Sequence, residues 1–252
     1  YVFQLVFYRD CNGAIGSTSA ATVDVWGHPT ITSINLSFVS NTDVSPFCTP
    51  VAGGPGELIC GIGANSGNGA GAIEKFIYQS APITLTGVPP ASGWVFTYQN
   101  FSRSASLTNI NSPSTYGISI ISKMFALPNS AGLCIDNSPQ FLQEPYFVSC
   151  AGSPYEYNMN AVDPDLDSLH VSFGIPLNNF PSQIYQEGVI PTPIAFEPGF
   201  SYSSPTPDAS MNAANIAAQI DPVTGNLTFL SNTIGNYNVK TIAQSFRNGV
   251  LI

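Results

Sequence analysis

Residues 30–39, TITSINLSFV, place Ile34, Leu36 and Phe38 at alternate positions, with Ile31 just ahead of them. A period of two sends one row of side chains to a buried face and the polar residues between them to the other, the pattern of a half-buried strand. The same reading extends outward. Residues 1–8 (YVFQLVFY) are a β-prone run that leads to an Asn12-Gly13 turn, and residues 20–26 (AATVDVW) alternate as a second strand. Residues 73–78, 81–86, 94–98 and 116–126 continue the series. Residues 128–141 are turn-rich and have no period, which marks a boundary. Strands at 155–159, 169–173, 226–229 and 235–242 then form a second β unit. Short strands punctuated by turns predict an all-β sandwich chain. The Gly235-x-Tyr237-x-Val239 pattern is that of a tyrosine corner. Alanines favour a short helix over residues 210–219.

Composition excludes several classes. The 252 residues carry 6 Lys+Arg against 15 Asp+Glu, and only 8% are charged, too few for a disordered chain. Six scattered basic residues cannot form a nucleic-acid footprint. No apolar run approaches the length of a membrane span. Lysine is scarce, so exposed helices should be few.

The five cysteines contain no C-x-x-C pair, and two histidines offer little help to a zinc site. Disulfides in an extracytoplasmic protein are expected, drawn from Cys48, Cys60, Cys134 and Cys150. Cys48 and Cys60 bracket a Pro/Gly-rich loop that a short cross-link would stiffen; the other pairings, including any partner of Cys11, stay open. Residues 61–72 read as a flexible surface loop rather than a phosphate cradle. Both ends read as cut from a longer secreted protein.

The chemistry-bearing stretch is Asp163-Pro164-Asp165-Leu166-Asp167. Carboxylates at every second residue converge on one hard cation when the backbone loops around it, and calcium (Ca2+) takes six to eight oxygens. The loop lacks the glycine and glutamate of an EF-hand. Asp136 and Asn137, in the boundary segment, offer further oxygens to the same ion. His28 in a Gly-His-Pro turn and His170 in a strand have no catalytic frame around them. Asn35, Asn100 and Asn226 head N-x-S/T sequons.

A set of short motifs in fixed order resembles large secreted surface proteins of Bacteroidetes, the gliding-motility-associated and adhesin-like proteins. It comprises Tyr8-Arg9-Asp10-Cys11-Asn12-Gly13, then Pro46-Phe47-Cys48 with Cys60, then Trp94 with Arg103. Asn137-Ser138-Pro139-Gln140-Phe141 follows, then Tyr157-Asn158 after Cys150, the acidic run, and Phe246-Arg247-Asn248-Gly249. The resemblance implies two tandem immunoglobulin- or cadherin-like β-sandwich domains with long loops, over residues 1–135 and 136–252. It also implies a calcium-braced joint, with Asp136 and Asn137 as linker ligands and Asp163, Asp165 and Asp167 as pocket ligands. The family has Gly where Leu166 stands. Asp167-Ser168-Leu169 is similar to the O-glycosylation signal of that phylum.

The expected role is therefore a structural or adhesive segment of a secreted, cell-surface bacterial protein or filament, not an enzyme. Its partners would be neighbouring repeats or subunits of the same protein. The alternative is a carbohydrate-binding module for surface glycans, with a row of exposed aromatics drawn from Trp26, Trp94, Tyr98, Tyr185 and Tyr202.

Overall fold

A computed structural model describes residues 1–13, 16, 18–46, 57–69, 71–101, 103–126, 136–181, 184, 186, 189 and 191–252. These residues form antiparallel β-strands, turns and loops, with one turn of 3-10 helix at Pro113–Thr115. The all-β expectation is met. Among the described residues, no helix is long and apolar enough to cross a membrane. They gather into two compact units, Tyr1–Val25 with Pro29–Gly87, and Trp26–His28 with Val88–Ile252.

The first unit holds β1 (Gln4–Asp10), all but the last residue of β2 (Ala21–Trp26), β3 (Ser33–Asp43) and β4 (Ile73–Gln79). Its strands lie in the order β1-β4-β3-β2. The alternation in residues 33–38 sets the register: Ile34 lies opposite Val23, and Phe38 opposite Tyr78. Ile34, Leu36, Val23, Leu5, Phe76 and Tyr78 are all buried. Burial of each aliphatic side chain contributes about 2 kcal/mol. The strand expected at 81–86 is not one. Those residues run extended beside the start of the chain, with Ile83 N donating to Tyr1 O at 2.8 Å.

Cys60 is bonded to Cys11, at a sequence separation of 49, and not to Cys48 across the short loop. The reason lies in the glycine-rich segment, which is laced rather than loose. Ser66 N and Gly67 N donate to Cys11 O at 2.8 and 3.2 Å, Asn65 N donates to Gly13 O at 3.1 Å, and Arg9 Nη1 donates to Gly63 O at 3.2 Å. These bonds fold the segment back onto the end of β1 and bring Cys60 to Cys11. Arg9 also pairs with Glu74 at 2.7 Å. Cys48 and Cys134 fall outside the described residues. Cys150, expected in a disulfide, is exposed and has no disulfide partner among the described residues.

The second unit holds β5 (Trp94–Phe101), β6 (Gly117–Met124), β7 (Gln140–Phe141), β8 (Pro154–Asn158) and β9 (Ala161–Val162). They are followed by β10 (Ser168–Phe173), β11 (Ile216–Ile220), β12 (Asn226–Leu230), β13 (Thr241–Arg247) and β14 (Val250–Leu251). β5 pairs with β6, β10-β13-β14 and β11-β12-β8 form three-stranded sheets, and β7 pairs with β9. Ala218, Leu227 and Phe229 form a core against Phe147, Tyr155 and Phe173.

This division lies earlier in the chain than a break at 135/136, for a visible reason. The segment that carries β5 and β6 is bonded to residues far downstream. Asn109 is fully buried; its Nδ2 donates to Pro205 O at 2.8 Å and to Asn238 O at 2.9 Å, and its Oδ1 accepts from Asn238 N at 2.9 Å. Arg103 Nη2 donates to Leu177 O at 2.9 Å, and Gly117 N donates to Asn178 Oδ1 at 2.6 Å.

Two local expectations also change. No helix forms over 210–219. Its second half pairs with β12 as β11, while turns bonded to the Asp208 carboxylate occupy the first half. Strand pairing outweighs the helix preference of the alanines. The final long strand starts at Thr241 rather than 235, because Asn236, Asn238 and Lys240 spend their backbone groups on Thr108, Asn109 and Gly174. The hydroxyl of Tyr237 donates to Thr233 O at 3.0 Å, a bond to the backbone four residues upstream.

Candidate functional site

The acidic run forms the loop between β9 and β10. Asp163 organises it from a buried position. Its Oδ1 accepts from Asp165 N at 2.8 Å and Asp167 N at 3.3 Å, which closes an Asx turn. Its Oδ2 accepts from the Ser245 hydroxyl at 2.6 Å, which ties the loop to β13. Leu166 N donates to Asp163 O at 3.1 Å, and Leu166 takes a left-handed conformation with φ 64°. Only glycine adopts that region without cost. The position where the resembled family has Gly is thus a left-handed turn held by leucine, whose side chain is 92% exposed.

The turn presents Asp165 and Asp167 to two other segments. Asp165 accepts from Asn137, through the backbone N at 2.6 Å and through Nδ2 at 3.2 and 3.1 Å. Asp167 accepts from Arg247 of β13, from Nε at 2.8 Å and from Nη2 in a second short bond. The same Nη2 lies 3.4 Å from an oxygen of Asp136. Oxygens of Asp136, Asp165 and Asp167 all lie within 4.8 Å of one another.

Of the five residues expected as ligands, Asp136, Asp165 and Asp167 bring oxygens together, although 25 or more positions separate Asp136 and Asn137 from the acidic run. They meet inside the second unit. Their roles differ. Asp163 shapes the turn, Asn137 holds Asp165, and oxygens of Asp136, Asp165 and Asp167 lie close together.

Charge dominates this arrangement. Burial raises the carboxyl of Asp136 to about 6, helped by the negative charges of Asp165, Asp163 and Asp167 and opposed by Arg247. Asp167 is moved the other way, held below the usual carboxylate range by its bonds to Arg247. The Arg247 guanidinium is in turn held more firmly protonated by Asp167. Sequence reading placed Arg247 only within a Phe-Arg-Asn-Gly motif. Its role as internal counter-charge depends on β13 lying beside β10, which no local pattern states.

The remaining candidates are dispersed. His28 is buried against Trp94, with ring centroids 4.6 Å apart, and burial lowers its pKa. His170 is exposed on β10 opposite Gln244. Among the aromatics proposed for glycan stacking, Trp94 is buried, Trp26 and Tyr98 are half-buried, Tyr202 is exposed, and Tyr185 falls outside the described residues. Among the described residues of this set, Tyr202 alone is exposed. The Ser168 hydroxyl, in the resembled glycosylation signal, donates to Phe246 O at 2.8 Å. No protein-family model matches the chain, and neither a curated protein nor a solved structure matches it.

Proposed function

We propose that the chain is a structural, adhesive segment of a large secreted bacterial surface protein or extracellular filament. Immunoglobulin- or cadherin-like modules would act in series, stiffened by a disulfide and by a divalent cation. The role is mechanical rather than catalytic. The observation that carries this reading is the convergence of Asp136, Asp165 and Asp167 on one point, from two separate stretches of chain. Oxygens on opposite sides of a calcium ion stand about 5 Å apart, because each bond is about 2.4 Å, so a spread of 4.8 Å fits that ion. Carboxylates so placed repel, and one guanidinium offsets only part of their charge. When bound, calcium would supply the missing positive charge and lock residues 136–137 to the turn at 163–167.

The cross-link between Cys11 and Cys60 supports an oxidising, extracellular setting. The partners would be neighbouring modules or subunits of the same protein. Thermal unfolding with calcium and then EDTA, with a metal assay on the purified chain, tests the proposal. A calcium-dependent rise in melting temperature that Asp165→Ala abolishes is expected. An unchanged melting temperature with no bound metal overturns the calcium brace and leaves Arg247 as the counter-charge among the described residues.

A further inference from the structure

The sequence contains three Asn-Gly steps, at Asn12-Gly13, Asn68-Gly69 and Asn248-Gly249. Each is a chemical weak point. Glycine has no Cβ to keep its backbone nitrogen from the preceding side chain. That nitrogen, after losing its proton to solvent, can attack Cγ of the asparagine. Ammonia leaves, a five-membered imide forms, and water opens either of its carbonyls to give aspartate or isoaspartate. One amide nitrogen is lost, one water is consumed and one negative charge is gained.

The fold treats the three steps differently. Asn68 is fixed from both ends of its amide: Nδ2 donates to Glu57 O at 2.6 Å and Oδ1 accepts from Ile59 N at 2.8 Å. Asn12 Nδ2 donates to Gly69 O at 2.9 Å, in the same laced segment that the disulfide closes. The Asn248 side chain makes no hydrogen bond among the described residues. Asn248 and Gly249 are both exposed and both left-handed, with φ 53° and 77°, and open space surrounds the position of a Cβ on Gly249. The hairpin that contains them ends in β14, only two residues long, so it opens easily.

We propose that Asn248 is the site of spontaneous deamidation in the folded protein, where Asn12 and Asn68 are protected. The product places a new carboxylate directly after Arg247, the residue that offsets Asp167 and Asp136. Isoaspartate also lengthens the backbone of the turn.

The test is to hold the full folded chain in mildly alkaline buffer and map its peptides by mass spectrometry over time. A parallel sample in urea gives the reactivity of each step without the fold. The Asn248 peptide is expected to gain one mass unit about tenfold faster than the Asn12 and Asn68 peptides, because the hydrogen bonds of those two must open first. The three should convert at similar rates in urea. Conversion of Asn12 or Asn68 at the same rate as Asn248 in the folded chain overturns the proposal. So does an Asn248 that converts in urea and stays intact when folded.

Discussion

Arg247 grips both carboxylate oxygens of Asp167, and its Nη2 also lies 3.4 Å from Asp136. One cation thus holds two acids that stand 31 positions apart in sequence. Arg247→Ala removes the only basic partner of these groups among the described residues. The variant is expected to melt at a lower temperature than the parent in EDTA and to recover more of that loss when calcium is added. Calorimetry under the two conditions reads the difference. An equal effect of calcium on parent and variant would show that guanidinium and cation do not share the site.

The Asp136 carboxyl titrates at about 6 in the folded chain, against 3.8 for an unperturbed aspartate. The folded state therefore binds the extra proton between these values, and stability from this group falls as pH rises through that window. His28 acts oppositely, because its lowered pKa makes the unfolded state bind more protons. The two are separated by comparing the parent with Asp136→Asn in EDTA. The parent should lose stability relative to the variant between pH 4 and about 6, and the gap should stay constant above that. Urea titrations at several pH values measure it.

The disulfide closes a loop with a sequence separation of 49. Loop-closure entropy assigns such a link about 4 kcal/mol. Cys11→Ser should lower stability by that order, and Cys48→Ser should leave the Cys11–Cys60 link intact. Peptide mapping without reductant should recover the Cys11 and Cys60 peptides as one species.

Leu166 stands left-handed, which costs a non-glycine residue roughly 1–2 kcal/mol. Glycine removes that strain and loses part of the gain to its freer unfolded chain. Leu166→Gly is expected to stabilise the protein by about 0.5–1 kcal/mol, and it also takes away an exposed leucine. A drop in melting temperature would show that the leucine side chain contributes more than the turn geometry does.

Asn109 makes three hydrogen bonds from a fully buried position. Asn109→Ala leaves Pro205 O and both backbone groups of Asn238 without this partner, a loss of about 3 kcal/mol. Denaturant unfolding should show the midpoint fall by the corresponding amount.

Most strand positions were legible from alternation, because a period of two states which face is buried without reference to distant contacts. Residues 30–39, 94–98 and 169–173 show this directly. What failed was decided elsewhere in the chain. The alanines of residues 210–219 favour helix in isolation, yet β12 offers a strand partner. The Cys11–Cys60 link depends on backbone bonds that fold the glycine-rich segment back onto β1, whereas nearness in sequence favoured Cys48. At the acidic cluster the residue types alone identified the carboxylates, since oxygens at alternate positions are a local signal. The division of roles was not legible: Asp163 as the turn-former and Arg247 as the counter-charge both follow from the pairing of β10 with β13.

The bonds from Asn109 to Asn238 span 129 positions, and those from Arg103 to Leu177 span 74. Neither can form until its downstream partner, Leu177 or Asn238, has been synthesised. The β5–β6 pairing is local and can form first, but the connection that Asn109 anchors closes only once Asn238 is present. Pairings this distant in sequence fold slowly, because loop closure must precede any gain from contact. Folding of the second unit is therefore expected to be limited by closure of these long loops rather than by formation of the β5–β6 hairpin.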